Sequence, residues 1–193
     1  SIVNLGMKEG QRYTVKELFE AMSIVSANDA AIALTEMVSH TEEDFVKLMN
    51  DHADYFGMNQ TLFYNASGLD GHTLGKDVEE TNFSSAREVA YLARKLISRH
   101  PEILYFTGRR DFRTSAGKMR ANPNLMLRGM PHFMHEIDGL KTGFTDEAGP
   151  CFVSTGVFGG RRIITVVIGV DPVGSVTINP RFVLTSALIE RFI

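Results

Sequence analysis

The sequence predicts an α+β domain, because helical patterns dominate its first half and strand-like patterns its second half. A further helical pattern closes the chain after Pro180. The 193 residues suit one domain, and no repeat, linker or low-complexity tract divides them. We therefore expect a single domain over residues 1–193, with a helical part over about 14–103 and a sheet part over about 104–193.

A capping box predicts the start of the first helix, and an alanine-rich composition predicts the second. Thr14 and Glu17 fit a capping box, in which the threonine accepts from the N–H of Glu17 and the glutamate reaches back. Apolar residues then recur at helical spacing and predict a helix over about 15–25. An alanine-rich stretch predicts a buried helix over about 30–37.

Two more helices carry clear end signals. Thr41 opens one that Gly57 ends, and Ser85 caps another that ends before Pro101. Residues 58–83 between them are rich in turn formers and are predicted as loop.

The second half is predicted to begin with short strand-like segments from about residue 104. Residues 152–158 and 163–170, separated by Gly159-Gly160, predict a β-hairpin. Its arms are nearly continuous in apolar residues, so we expect both faces to be covered. Pro180 suits the first position of the last helix.

Composition excludes several classes of function. Twenty Lys+Arg against 23 Asp+Glu give a net charge of −3, which argues against a nucleic-acid partner. No apolar run approaches the roughly 18 residues of a membrane span, so membrane association is expected only through segments absent here.

The one cysteine, Cys151, precludes an intrachain disulfide and is interpreted as part of a buried strand. His132 and His135 lack the spacing of a zinc helix, and no metal or other cofactor is predicted.

Two short segments could carry chemistry. In Ser26-Ala27-Asn28, a hydroxyl and a carboxamide between two helices could point together into a cleft. The alternative is that Ser26 or Asn28 merely caps the following helix. In Lys141-Thr142-Gly143, an ammonium and a hydroxyl could hold a substrate carboxylate, and the glycine could leave room for an extended peptide. The alternative is a surface strand with a solvated lysine.

Together the two segments follow the order of the penicillin-recognising serine enzymes, Ser-x-Asn upstream of Lys-Thr-Gly. Their flanks and a third segment resemble the low-molecular-mass D-alanyl-D-alanine carboxypeptidases; the segments are 26–31, 65–70 and 138–145. Residues 10–18 and the last helix are also similar, so the resemblance covers nearly the whole chain. It implies a β-lactamase/transpeptidase-like fold, an antiparallel sheet flanked by helices plus a helical subdomain.

The resemblance also implies roles for the residues that match. Ser26 would relay a proton to the departing amine, and Asn28 would donate to the acyl carbonyl. Lys141 and Thr142 would hold the terminal carboxylate, and the backbone N–H of Phe144 would be an oxyanion donor. The predicted catalytic set is Ser26, Asn28 and Lys141, and the predicted substrate-binding set is Lys141, Thr142, Gly143, Phe144 and Thr145. The implied partners are peptidoglycan stem peptides ending in D-Ala-D-Ala and the β-lactams that mimic them, which implies a place outside the cytoplasm.

One element of the family pattern is not where it should be. The family acylates the serine of a Ser-x-x-Lys upstream of Ser-x-Asn, whereas the one such match here is Ser115-Ala116-Gly117-Lys118. That match is predicted as a hairpin turn. We therefore expect the fold to be incomplete at its N-terminus and this chain alone to be inactive. The alternatives are a non-catalytic peptidoglycan-binding relative and a β-lactamase of the same fold, although no Glu-x-x-x-Asn of the class A type lies between the two motifs.

Overall fold

A computed structural model of the chain describes residues 2–170 and 179–193. Helices precede strands, and a helix closes the chain, so the α+β prediction is confirmed. The helices are α1 Val15–Val25, α2 Asn28–Ser39, α3 Glu42–Tyr55, α4 Ala86–Arg99, α5 Ile103–Thr107 and α6 Pro180–Phe192. The strands are β1 Asp111–Arg113, β2 Met119–Ala121, β3 Ile137–Thr145, β4 Gly149–Phe158 and β5 Arg161–Val167.

The strands form two antiparallel sheets in the described part of the chain. β1 and β2 form a small hairpin, and the main sheet has the order β3-β4-β5. In its register Lys141 lies opposite Val153 and Gly143 lies opposite Cys151. β5 ends at Val167, three residues before the predicted end of that arm. Gly169 adopts a φ of 66°, which is incompatible with an extended strand.

Helices cover both faces of the main sheet, as predicted. Phe152 of β4 packs against Phe182 of α6, with ring centroids 5.1 Å apart. The next residue, Val153, packs on the other face against Ala93 and Ile97 of α4. Successive side chains of a strand point to opposite faces, so this alternation produces two separate apolar cores.

The helix caps are largely those that the sequence predicts. The hydroxyls of Thr14 and Ser85 accept from the N–H three residues on, at 3.1 and 3.4 Å. The carboxylate of Glu17 instead accepts from the N–H of Ser115 at 2.8 Å. The prediction that Glu17 reaches back to Thr14 is therefore wrong, and its side chain ties the β1–β2 turn to α1.

The segment from residue 103 corrects another expectation. Four of the five residues of α5 are β-branched or aromatic, which suggests a strand, but they form a short helix. This helix approaches β3 closely at Gly139, where an added Cβ would lie 2.9 Å from the hydroxyl of Thr107 and 3.2 Å from Leu104. Tertiary packing therefore overrides the local strand preference.

The long connection between α3 and α4 is a loop, as predicted. Its regular structure consists of a short 3₁₀ helix, Gly71–Leu74, and an isolated bridge between Leu62 and Phe83.

Candidate active site

The junction between α1 and α2 positions the first candidate segment. Ser26 follows α1 with a φ of 64° and a ψ of 38°, the left-handed conformation that terminates many helices. The N–H of Ala27 donates back to the carbonyl of Ala21 at 3.1 Å and closes the turn. α2 begins at Asn28 with Ala27 as its N-cap and has no side-chain cap. The alternative interpretation of Ser26 or Asn28 as the cap of α2 is therefore wrong.

The extended segment before α1 lies along this junction. The carbonyl of Val3 accepts from the backbone N–H of Asn28 at 2.8 Å and from its side-chain amide at 3.1 Å. The carboxylate of Asp29 accepts from three successive backbone N–H groups at 2.9, 2.9 and 3.3 Å, those of Leu5, Gly6 and Met7. Asp29 therefore fastens residues 3–7 beside the start of α2, a role that the sequence analysis missed.

β3 brings the second candidate segment to the same place. The ammonium of Lys141 donates to the hydroxyl of Ser26 at 2.7 Å and to the carbonyl of Thr142 at 2.6 Å. Ser26 and Lys141 are 115 residues apart in the chain. The alternative interpretation of Lys141 as a solvated surface lysine is therefore wrong.

The outer edge of β3, which pairs with no other strand within residues 2–170 and 179–193, also borders the site. The carbonyl of Thr142 points to Lys141 Nζ and therefore away from β4. In an antiparallel strand the N–H and C=O of residues i and i+2 point to the same side, so those of Phe144 also point away from β4. Pro150, which has no N–H to offer, lies opposite Phe144 and suits such a pair. The backbone N–H of Phe144 thus points to the edge of β3 away from β4, the edge that also carries the Thr142 carbonyl bound by Lys141 Nζ.

These groups surround one cavity of about 510 Å³. It is lined by every residue of the two predicted sets: Ser26, Asn28, Lys141, Thr142, Gly143, Phe144 and Thr145. The arrangement differs from the expected roles in one respect. The side-chain amide of Asn28, expected to donate to the acyl carbonyl of the substrate, donates to the carbonyl of Val3. Thr145 accepts from the N–H of Ala148 at 3.1 Å and so also shapes the β3–β4 turn.

A loop that follows α3 supplies the third wall of the cavity through residues 67–69. Asn65 is fully buried and organises this loop, donating to the carbonyl of Leu69 at 2.9 Å and accepting from the N–H of Gly68 at 2.7 Å. Asp70 is also buried and accepts from the N–H of Glu147 at 3.2 Å. The loop is therefore fastened to the β3–β4 turn.

Arg181, at the start of α6, is a site residue that the sequence analysis missed. Its guanidinium lines the cavity and donates to the carbonyls of Gly143 at 2.6 Å and Cys151 at 3.2 Å. A signal was present, because a basic residue directly after Pro180 lies in the first turn of the helix, where a positive charge opposes the helix dipole.

The electrostatics of the cavity favour an anion. Lys141, Arg181 and Arg120 line it, and none of its lining residues in the described ranges is Asp or Glu. Burial, and next the positive charge of Arg181, lower the pKa of Lys141 to about 8. A bound carboxylate would favour the charged lysine again, so anion binding and protonation of Lys141 reinforce each other.

The Ser-x-x-Lys match lies elsewhere. Ser115 to Lys118 form the β1–β2 turn, with Gly117 N–H donating to Thr114 carbonyl at 2.8 Å, so the predicted hairpin turn is confirmed. None of these four residues lines the cavity. Within residues 2–170 and 179–193 no cluster of three metal-ligating side chains is present, and no helix is long and apolar enough to cross a membrane.

Comparison with known proteins identifies the family. The sequence pattern of D-alanyl-D-alanine carboxypeptidases matches residues 1–172. The chain belongs to the D-alanyl-D-alanine carboxypeptidase family. Among curated family members, it is 35% identical over 167 residues to DacF of Bacillus subtilis and 33% identical over 165 residues to DacD of Escherichia coli. These matches cover 84% and 86% of the chain but 40% and 39% of the relatives. The chain thus spans about two fifths of the length of these carboxypeptidases.

Solved structures of similar proteins confirm the β-lactamase/transpeptidase-like fold. A peptidoglycan synthesis regulatory factor (PBP3) of Streptococcus pneumoniae matches 99% of the chain with 40% identity and a TM-score of 0.91. Cefotaxime-bound penicillin-binding protein D2 of Listeria monocytogenes matches 98% with 36% identity and a TM-score of 0.80. The chain covers 53% and 71% of these two proteins.

Proposed function

We propose that this chain forms most of the substrate cleft of a serine-type D-Ala-D-Ala carboxypeptidase. The enzyme would remove the terminal D-Ala from peptidoglycan stem peptides through an acyl-enzyme and would be acylated by β-lactams. The observation that carries this proposal is the 2.7 Å contact of Lys141 Nζ with Ser26 Oγ inside a cationic cavity. The cefotaxime-bound and ampicillin-bound structures of the Listeria protein support the β-lactam part.

The first step would be capture of the terminal carboxylate. Lys141 supplies a half-buried positive charge, Thr142 a hydroxyl, and Arg181 a second positive charge at the same wall. Charge-assisted hydrogen bonds of this kind are about twice as strong as neutral ones. The exposed backbone at Gly143 leaves space for an extended peptide beside β3.

The second step would be acyl transfer. A serine hydroxyl attacks the carbonyl of the penultimate D-Ala and loses its proton to an adjacent base, while the N–H of Phe144 stabilises the oxyanion. As the C–N bond breaks, the hydroxyl of Ser26 gives its proton to the departing amine and regains one from the protonated base. Water then hydrolyses the ester and regenerates the serine.

The attacking serine would come from outside residues 1–193. Ser115 belongs to a turn that does not line the cavity, and Ser26 is the left-handed residue that ends α1 and does not begin a Ser-x-x-Lys. We therefore expect these residues alone to be inactive. Because stem peptides lie in the cell envelope, the enzyme would act outside the cytoplasm.

The test uses the full-length gene product and a fluorescent penicillin. Lys141→Ala should slow labelling by about 100-fold or more, because a charge-assisted contact to the β-lactam carboxylate is lost. Lys118→Ala, an exposed lysine in the β1–β2 turn, is the matched control and should label normally.

Peptide mapping of the penicillin adduct locates the nucleophile. We expect the acylated serine to lie in a Ser-x-x-Lys outside residues 1–193. An adduct on Ser26 or Ser115, or undiminished labelling of Lys141→Ala, would contradict the proposed function.

A further inference from the structure

A third cation of the cavity, Arg120, belongs to none of the matching motifs. It lies in β2, is half-buried, and lines the same cavity as Lys141. One of its terminal nitrogens donates to the carbonyl of Asn4 at 3.2 Å. A guanidinium carries five N–H donors, so this bond anchors Arg120 and leaves other donors for a ligand.

Arg120 and Arg181 approach the cavity from different elements. Arg181 is held by the carbonyls of Gly143 and Cys151 in the main sheet. Arg120 is held by Asn4, next to Val3, whose carbonyl binds Asn28 at the start of α2. The two arginines are thus anchored on the sheet side and on the Asn28 side of the cavity.

The charge around Arg120 is not offset within the cavity. None of the residues that the structure shows lining it carries a carboxylate. Beyond Arg120 lies a second, smaller cavity of about 200 Å³, which Arg120 also lines together with Lys8 and Lys118. Positive charge therefore continues from the catalytic cavity along the segment before α1.

Resting on the proposed function, we propose that Arg120 determines substrate specificity by binding a second substrate carboxylate. The terminal carboxylate occupies Lys141, Thr142 and Arg181, so Arg120 would meet the acyl part of the peptide, upstream of the scissile bond. The planar fork of arginine matches a carboxylate in a bidentate manner. The preferred substrates would be diacid peptides, in which the residue before D-Ala-D-Ala carries a free side-chain carboxylate.

The experiment compares two peptides with the full-length gene product. Acetyl-L-Glu-D-Ala-D-Ala and acetyl-L-Gln-D-Ala-D-Ala differ only in a carboxylate and its carboxamide. We expect kcat/KM for D-Ala release to favour the Glu peptide by about tenfold, the size of one charge-assisted hydrogen bond. Arg120→Gln should reduce this preference to less than twofold by raising KM for the Glu peptide alone.

Two further variants separate specificity from structure. Arg120→Lys keeps the charge and should retain part of the preference, whereas Arg113→Gln, on the neighbouring strand outside the cavity, should retain all of it. A merely structural role of Arg120 would lower kcat/KM equally for both peptides and would slow penicillin labelling.

The outcomes distinguish the two proposals. Cleavage of both peptides at equal rates, or an undiminished preference in Arg120→Gln, overturns the role of Arg120 and leaves the carboxypeptidase intact. An enzyme that cleaves neither peptide and is not labelled by penicillin overturns the proposed function and this inference with it.

Discussion

Two of the three walls of the cleft, the sheet wall at β3 and the helical wall at the α1–α2 junction, hold their polar groups in different ways. The sheet wall presents Lys141 from a strand that pairs with β4 without interruption from Gly139 to Thr145. The helical wall presents Ser26 from a single left-handed residue between two helices. A non-glycine residue in that conformation costs roughly 1–2 kcal/mol, so the surrounding contacts must hold it there.

This difference separates two kinds of mutational effect. Many equivalent backbone bonds hold the sheet wall, so replacing one of its cavity side chains should change binding more than folding. A few specific contacts, such as those of Asp29, hold the helical wall, so substitutions there should change folding as well. The following experiments test that division, beginning with the largest expected effect.

Arg181→Gln tests the sheet wall through its charge. It should lower the rate constant for penicillin acylation by about 100-fold at pH 7, because a charged partner of the carboxylate is lost. It should also raise the pKa of Lys141 above about 8, since repulsion by Arg181 disappears while burial remains. Charged Lys141 is the binding form below its pKa, so acylation by the wild type should fall as the pH rises through about 8, and the variant should keep its residual rate to higher pH.

The measurement is the pH dependence of acylation from pH 6 to 10. Arg191→Gln, in the last turn of the same helix and exposed, is the control and should behave as the wild type. An alkaline limb that does not move in Arg181→Gln would show that Arg181 does not act on Lys141.

Asp29→Ala tests the helical wall through its main anchor. The free energy of unfolding should fall by about 2 kcal/mol, because three backbone donors of residues 3–7 lose their charged acceptor. Chemical denaturation measures this loss. Asp44→Ala, an exposed residue in the first turn of α3, should cost less than about 1 kcal/mol, and an equal loss in both variants would remove Asp29 from its anchoring role.

Gly143→Ala tests whether the sheet wall tolerates a side chain. The added Cβ would lie 3.6 Å from the Cβ of Cys151, an ordinary contact, so the free energy of unfolding should change by less than about 1 kcal/mol. The methyl group would enter the peptide site, and acylation should slow by about tenfold, equivalent to about 1.4 kcal/mol.

Gly156→Ala in β4 is the contrasting control. There an added Cβ would collide with the carbonyl oxygen of Glu136, so this variant should lose stability instead. A strongly destabilised Gly143→Ala would mean that Gly143 serves the packing of the sheet and not the cleft.

Ser26→Gly and Ser26→Ala together test the strained turn, with the smallest expected effect. Both remove the hydroxyl partner of Lys141, but only glycine adopts a φ of 64° without steric cost. The glycine variant should therefore be more stable than the alanine variant by about 1 kcal/mol in thermal unfolding. The reverse order, which is normal within a helix, would show that the left-handed turn is absent.

Local signals made much of the fold predictable. The caps at Thr14 and Ser85 and the helix start at Pro180 depend on neighbouring residues, and each is found where the sequence predicts it. α5 could not be predicted in this way, because most of its residues prefer a strand and its helix packs against β3 and α1, which are distant in the sequence.

The site was predictable only in part. Taken separately, Ser26 and Lys141 were compatible with a helix cap and a solvated lysine, and only the resemblance to a family brought them together. Arg181 is 40 residues beyond Lys141, and its contact with the cavity depends on how α6 packs against β4. Asp29 and Arg120 act through the segment before α1, whose path has no periodic pattern to reveal it.

The hydrogen bond between Asp70 and the N–H of Glu147 makes one amide proton a reporter of local opening at the third wall of the cleft. That single amide proton is shielded only while the loop behind Ser67 stays docked on the β3–β4 turn. The rate at which this proton exchanges with deuterated solvent therefore reports how often residues 67–70 separate from the β3–β4 turn. Ligands that contact residues 67–69 should slow this exchange, whereas ligands that contact only the Arg120 side of the cavity should leave its rate unchanged.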